Sequence, residues 1–354
     1  MPWELIRRLY SQRSREILCT TARRTTDSAA NVCAAVPGLL ERRLIFVTGK
    51  GGVGKSTVAT ALGLLAARSG RRTIVAELAR QNRVGQTFAR DAAPFQEVEL
   101  ADGLFTISID PESAMEEYLR VKTGAVGQVL GSSRLFQAFA MATPGMRELL
   151  SIGKVWELAQ LQRRTSGAAV YDLVIVDSPA AGHGLGILRT PRTFAEIARV
   201  GPIAHQAETI AQTIADREFT SVVAVSTASE MPVSETLWLD DELRTDGLAL
   251  DAVILNALYP DRFSDDEHEQ LERARSRSRS PLTSAALGAA LSEHARARSQ
   301  AEQHQRLRDG LGAEGPPVIT LPYLFAEQIG PGELEQLADA LGEPAVPPVP
   351  VPAG

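Results

Sequence analysis

The chain has 354 residues, 44% of them hydrophobic, with a formal net charge of −6 and a pI near 5.6. That length holds one large α/β domain or a core with a sizeable insertion, and the acidic balance excludes the broad basic field of a dedicated nucleic-acid binder. Cys19 and Cys33 are the two cysteines, so no CxxC zinc site or disulfide framework is available to the main body, and no stretch reaches the ~18 apolar residues of a membrane span. Together these point to a reducing, cytoplasmic setting with no integral membrane span.

Residues 1–38 read as an extension, with arginines at 7, 8, 13, 15, 23 and 24 in a Ser/Thr-rich stretch. They are expected to be disordered or upstream of the true start, and a transit peptide or amphipathic surface helix has the same composition. From Arg43 short β-branched runs alternate with helical stretches. The runs are Leu44–Thr48, Thr73–Leu78, Phe105–Ile109, Leu173–Asp177, Val222–Thr227, Ala252–Leu258 and Val318–Leu321. Near-continuous apolar strands between helices predict a doubly wound, mostly parallel sheet in an α/β domain spanning 39–342. Between Pro111 and Gln162 no strand signal appears. Met115, Tyr118, Leu119, Val129, Leu135, Phe136, Phe139, Met141 and the segment Met146–Leu161 instead predict a helical insertion at about 111–165. The basic run Arg273–Pro281 reads as a solvated face or a contact for an acidic partner. Residues 343–354 are proline-rich and expected to be disordered.

The chemistry lies between the first strand and the helix after it. Gly49-Lys-Gly-Gly-Val-Gly-Lys-Ser-Thr57 matches G-x-x-x-x-G-K-[ST] in a strand–loop–helix setting. Gly49, Gly51, Gly52 and Gly54, with Val53 between them, let backbone N–H groups converge on phosphate oxygens at a helix N-terminus. Lys55 is placed to reach the β- and γ-phosphates, the Ser56 hydroxyl to ligate Mg²⁺, and Thr57 to bond near the α-phosphate. Only four of the 37 basic residues are lysine, and two of those, Lys50 and Lys55, stand in this loop. Compact point charges are favoured there over guanidinium. Gly49, Gly51 and Gly54 also fit G-x-G-x-x-G, with Glu77 where a dinucleotide fold puts its ribose carboxylate. Lys55-Ser56 decides for the phosphate loop, because a dinucleotide site needs neither group. Asp177 ends an apolar strand and is the candidate for the Mg²⁺ shell, or else a helix cap. Ala180–Gly186 reads as a glycine-rich loop whose Gly182 N–H could sense a γ-phosphate.

These residues resemble the arsenite-pump and tail-anchored-protein-targeting ATPases, within the wider class that holds the ParA/MinD partitioning proteins and nitrogenase iron protein. The GKGGVGKST loop, a deviant Walker A, marks the wider class. The narrower likeness rests on Asp177-Ser-Pro-Ala-Ala-Gly-His183, which is similar to the family's switch II D-T-A-P-T-G-H, and on the helical insertion before it. It covers roughly 43–342 and looks closest to actinobacterial-type single-P-loop members. The resemblance implies ATP and Mg²⁺ as cofactors and a homodimer, or a heterodimer with a paralogue, in which Lys50 reaches the partner's nucleotide. It also implies adenine contacts at Asn256 and at Pro322 in Val318–Tyr323. The chain departs from the family pattern at switch I, where Ala79 aligns with the water-positioning aspartate. Glu77, two residues earlier and so on the same strand face, is the candidate substitute. Ala181 replaces a switch II threonine. The eukaryotic-type CxxC zinc clip is absent, so any dimer is held otherwise, and the metalloid-site cysteines of arsenite pumps are absent too, which weighs against arsenite transport.

Three functions fit these residues. One is an ATP-driven dimeric switch whose insertion offers a groove to a hydrophobic client segment, with Leu135, Phe136, Phe139, Met141 and Met146 as its lining or simply as the insertion's own core. A ParA/MinD-like positioning ATPase is the second, and the Pro-rich, acidic-leaning C-terminus argues against its membrane-docking form. The third is a nucleotide-binding regulatory subunit with little hydrolysis.

Overall fold

The computed structural model describes residue 36 and residues 38–78, 82–90, 93–131, 143–165, 167–198 and 202–342. Most of the N-terminal extension, the tail 343–354, Ala79, Leu135, Phe136, Phe139 and Met141 lie outside the described residues. Among the described residues eight strands form one sheet: β1 (Leu44–Thr48), β2 (Thr73–Glu77), β3 (Val98–Ala101), β4 (Leu104–Ser108), β5 (Leu173–Asp177), β6 (Thr220–Thr227), β7 (Ala252–Leu258) and β8 (Val318–Pro322). Their order is β3-β4-β2-β5-β1-β6-β7-β8. Every pairing is parallel except that of β3 with β4.

The sheet is two-faced because its strands alternate at period two while both sets of side chains are apolar. Leu44, Phe46, Val174, Val176, Val222 and Ala224 face one core. Ile45, Val47, Leu173, Ile175, Val223 and Val225 face the other. Each buried Leu, Ile, Val or Phe among them contributes roughly 1.5–3 kcal/mol. Helices α1 (Lys55–Arg68) and α10 (Pro331–Gly342) cover the second face, with α2 (Arg83–Thr87) at its edge. The first is covered by α4 (Met146–Leu158), α5 (Ala181–Ala198), α6 (Pro202–Ala215), α7 (Glu230–Thr245) and the end of α9 (Pro281–Leu311). Helix α8 (Asp265–Arg277) pairs with α9 around Phe263, Leu271, Leu287 and Ala290.

Three details differ from the sequence reading. Val36, inside the stretch read as an extension, is buried beside Leu39 and Leu40 in the α1-side core. Strand β3 carried no signal, because only Leu100 of its four residues is buried. Ala180–Gly186 is mostly helix, the first turns of α5, rather than a loop. Gly184 sits so close to β1 that a Cβ would lie 2.5 Å from Thr48 Oγ1. Packing of the helix start against the strand overrides the poor helix propensity of three glycines.

Between β4 and β5 stand α3 (Pro111–Gly131) and α4. Ile152, Val155 and Leu158 of α4 are fully buried in the sheet-side core, so that helix forms part of the covering layer. A cavity of about 140 Å³ opens between α3, α4 and α6, lined by Met115, Tyr118, Met146, Leu149 and Ile203 among others. Arg273, Arg275, Arg277 and Arg279 of the basic run are exposed. Among the described residues no helix is long and apolar enough to cross a membrane.

Candidate functional site

Register brings the chemistry to one edge. Asp177 is level with Val47 on β1 and with Glu77 on β2, so three strand ends finish together. Ligand sites of open parallel sheets form at such carboxyl ends. The loop leaving β1 turns through Gly49 at φ 141°, where a Cβ would lie 2.1 Å from the Val225 carbonyl oxygen on β6. It enters α1 through Gly54 at φ 92°, where a Cβ would meet Asn256 Nδ2 at 2.3 Å. Only glycine meets both demands, the left-handed backbone and the close approach.

A cavity of about 450 Å³ lies over this loop. Gly51, Gly52, Gly54, Lys55, Ser56 and Thr57 form its floor, and Thr60, Arg83, Asp177, Ser178, Pro179 and Ala180 form much of its wall. Ser56 Oγ donates to Asp177 Oδ2 at 2.5 Å. Lys55 Nζ donates to the Lys50 carbonyl at 2.9 Å. Burial raises the Asp177 pKa, offset in part by the Ser56 hydrogen bond and the charges of Lys55 and Arg83. Burial lowers that of Lys55, with Asp177 opposing the shift. Among the described residues the second Asp177 oxygen, Oδ1, is buried and has no hydrogen-bond partner. An orphaned carboxylate oxygen beside a hydroxyl is a fit place for a hydrated divalent cation, which keeps most of its waters and needs few protein ligands. The glycine-lined floor, the desolvated lysine and Arg83 suit a polyphosphate. The residues present therefore fit Mg·ATP.

The remaining candidates stand outside that wall. Lys50 Nζ pairs with Glu235 Oε2 on α7 at 2.6 Å. Asn256 Nδ2 donates to the Val53 carbonyl at 2.9 Å, tying β7 to the loop. Pro322 is exposed at the end of β8, and Gly182 is exposed in the first turn of α5. Glu77 is fully buried, and its Oε1 accepts the amides of Arg83 at 2.7 Å and Val84 at 3.2 Å, capping α2. Sequence reasoning missed Arg83. It lies six residues beyond Glu77, and only its charge near the switch I segment could have marked it.

Glu77 also makes a pH prediction. Burial chiefly, with Asp177 adding and the two amides opposing, raises its pKa from 4.5 to about 7. The native state then binds the proton more tightly than the unfolded state does. Stability is full below pH ~4.5 and falls as pH rises toward ~7, by about 3 kcal/mol at most. Glu77→Gln keeps an acceptor for the amides and cannot ionise. It should flatten this slope and gain about 1–2 kcal/mol over wild type at pH 8, allowing for a buried amide N–H without an acceptor. Urea denaturation at pH 5 and pH 8 measures it; an undiminished slope in the variant would assign the effect to another group.

A glycine-rich loop leading from a parallel strand into a helix, with a buried acid at the tip of the neighbouring strand, defines a P-loop nucleotide-binding protein. The sequence profile of the family described as Anion-transporting ATPase matches residues 42–205 and 195–284. ATPase BagA of Mycobacterium tuberculosis is 30% identical over 243 residues, covering 67% of this chain and 71% of that protein. ATPase get3 of Neurospora crassa is 24% identical over 347 residues, 86% of this chain and 92% of its own. The arsenical pump-driving ATPase of Escherichia coli is 26% identical over 250 residues, 65% of this chain and 41% of its own. The chain belongs to the anion-transporting ATPase family, and its fold is that of a nucleotide-binding ATPase.

Proposed function

We propose that this protein is a Mg²⁺-dependent ATPase that works as a nucleotide-driven dimeric switch, as a homodimer or with a paralogue. The observation that carries this reading is the convergence of Lys55, Ser56 and the half-satisfied Asp177 on one cavity of about 450 Å³. In it, Lys55 and the amides from Gly49 to Thr57 hold the phosphates, and Ser56 and Asp177 hold the metal. Gly182 reports on the γ-phosphate, and Asn256 and Pro322 face the base. When bound, the metal supplies charge neutralisation between the phosphates. The cavity between α3, α4 and α6, lined by Met115, Tyr118, Met146, Leu149 and Ile203, is the surface offered to an apolar client segment. Phosphate release from Mg·ATP by the purified chain, with Lys55→Ala as blank, tests the reading; turnover above the blank is expected.

A second reading has an observation of its own. Among the described residues Asp177 is the one acid in the cavity wall, and Glu77 is occupied as a cap. Tight ATP binding without turnover would mark a regulatory subunit, or one half of a heterodimer whose partner supplies the missing group.

Lys50 separates binding from association. Its pair with Glu235 is one-quarter to one-third exposed, so its loss costs only ~0–1 kcal/mol. Lys50→Ala should leave ATP affinity of the isolated chain within about threefold while weakening the nucleotide-closed dimer about tenfold or more. Glu235→Gln, which frees the lysine, should strengthen that dimer. Sedimentation with a non-hydrolysable ATP analogue reads both; unchanged association in Lys50→Ala would remove the trans role.

A further inference from the structure

We infer that Gln300, on α9, is a positioning residue for base recognition, because it clamps the strained backbone that carries Asn256. The inference rests on the reading above that Asn256 faces the base. Directly after Asn256, Ala257 adopts φ 61°, a left-handed conformation that a residue with a Cβ rarely takes. The pairing of β7 with β8 shifts register here, between Leu255 and Leu258. Such bulges re-aim a side chain at a sheet's end, and strain of this kind persists only where its surroundings enforce it.

The enforcing groups come from α9. Gln300 Oε1 accepts from the Tyr259 amide at 2.7 Å, and Gln300 Nε2 donates to the Ala257 carbonyl at 3.0 Å. One side-chain amide thus ties the carbonyl of the left-handed residue to the amide two residues on, across Leu258 where regular pairing with β8 resumes. One turn earlier, Arg296 Nη1 donates to the Tyr259 hydroxyl at 3.0 Å. Tyr259 stacks on Tyr323 at 4.5 Å, and the Tyr323 amide returns to the Leu258 carbonyl at 2.8 Å. On the other side of Ala257, Asn256 Nδ2 holds the Val53 carbonyl in the phosphate loop. The orientation of Asn256 is therefore set from two directions, the loop and α9. An asparagine amide has two donors and an acceptor; with one donor on Val53, the rest can read a purine edge only if the bulge stays fixed. Without Gln300, Ala257 is expected to relax toward ordinary strand geometry and turn Asn256 with it.

The test compares ATP, GTP and tripolyphosphate affinities of the full chain by calorimetry. Gln300→Ala should lose about tenfold in ATP affinity, two hydrogen bonds' worth. Its preference for ATP over GTP should shrink by the same factor, and tripolyphosphate binding should not change. Gln300→Glu, which keeps the acceptor but not the donor, should fall between. Adding Ala257→Gly to Gln300→Ala removes the backbone strain and should restore part of the preference, which a general loss of folding would not allow. Full ATP affinity and selectivity in Gln300→Ala would overturn the inference alone, as would an equal loss for tripolyphosphate. A wild-type chain that binds neither ATP nor tripolyphosphate would instead overturn the phosphate-site reading and this inference with it.

Discussion

Lys55→Ala should lower ATP affinity at least about 100-fold, because two charge-assisted contacts to phosphate vanish, each worth roughly 1.5–3 kcal/mol. The same change should hardly touch stability. Among the described residues the ammonium makes one hydrogen bond, to the Lys50 carbonyl, and its partial burial already works against the charge. Removing a desolvated cation returns some of what the hydrogen bond gave. Calorimetric titration with Mg·ATP beside a thermal melt therefore separates the two effects. A melt shifted by only a few degrees with binding lost supports the assignment. Unaltered ATP affinity would overturn it.

Gly49→Ala should act on the fold itself. The added Cβ would meet a backbone carbonyl at 2.1 Å, on a residue already at φ 141°. That carbonyl belongs to Val225 of β6, one residue past the last β1–β6 pair, and it is backbone, so no flexible side chain can yield. The carboxyl ends of β1 and β6, two central strands, must part there. A cost of about 4 kcal/mol or more follows, a large share of the 5–15 kcal/mol that holds an ordinary domain together. Gly52→Ala is the comparison, since Gly52 has φ 86° but open space around the new atom. Backbone strain alone should cost about 1–2 kcal/mol there. Chemical denaturation of the two variants decides whether close approach or dihedral strain rules this loop; equal losses would discount the contact with Val225.

Reach along the chain governed what the residues revealed in advance. The glycine-rich motif is nine consecutive residues, so the loop could be recognised directly and its chemistry proposed, and Asp177 was visible as the acid closing an apolar run. The sheet's parallel character followed from strands buried on both faces. Strand β3 escaped because one buried leucine in four residues makes no pattern. Glu77 drew notice as an acid at a strand end, but its engagement with the Arg83 and Val84 amides depends on how the chain turns after β2. Glu235 gave no sign at all. It meets Lys50 from 185 residues away, and Asn256 meets Val53 from 203. Such pairs are products of topology, which no local signal encodes.

The central place of β1, between β5 and β6, has a consequence for how the protein is made. Strands β2, β4 and β3 can pair as soon as they are synthesised, yet β1 emerges first and must wait for both of its neighbours. Ser56 precedes Asp177 by 121 residues, on the order of ten seconds of translation. Through that interval Leu44–Thr48 is an apolar ribbon with both edges open, the kind of segment that associates with other chains. If Asp177 completes the nucleotide site as proposed, nucleotide cannot rescue it early, because that acid has not yet left the ribosome. Ligand-assisted folding is therefore confined to the chain that has passed β5, and the vulnerable period belongs to whatever shelters nascent strands in the cell.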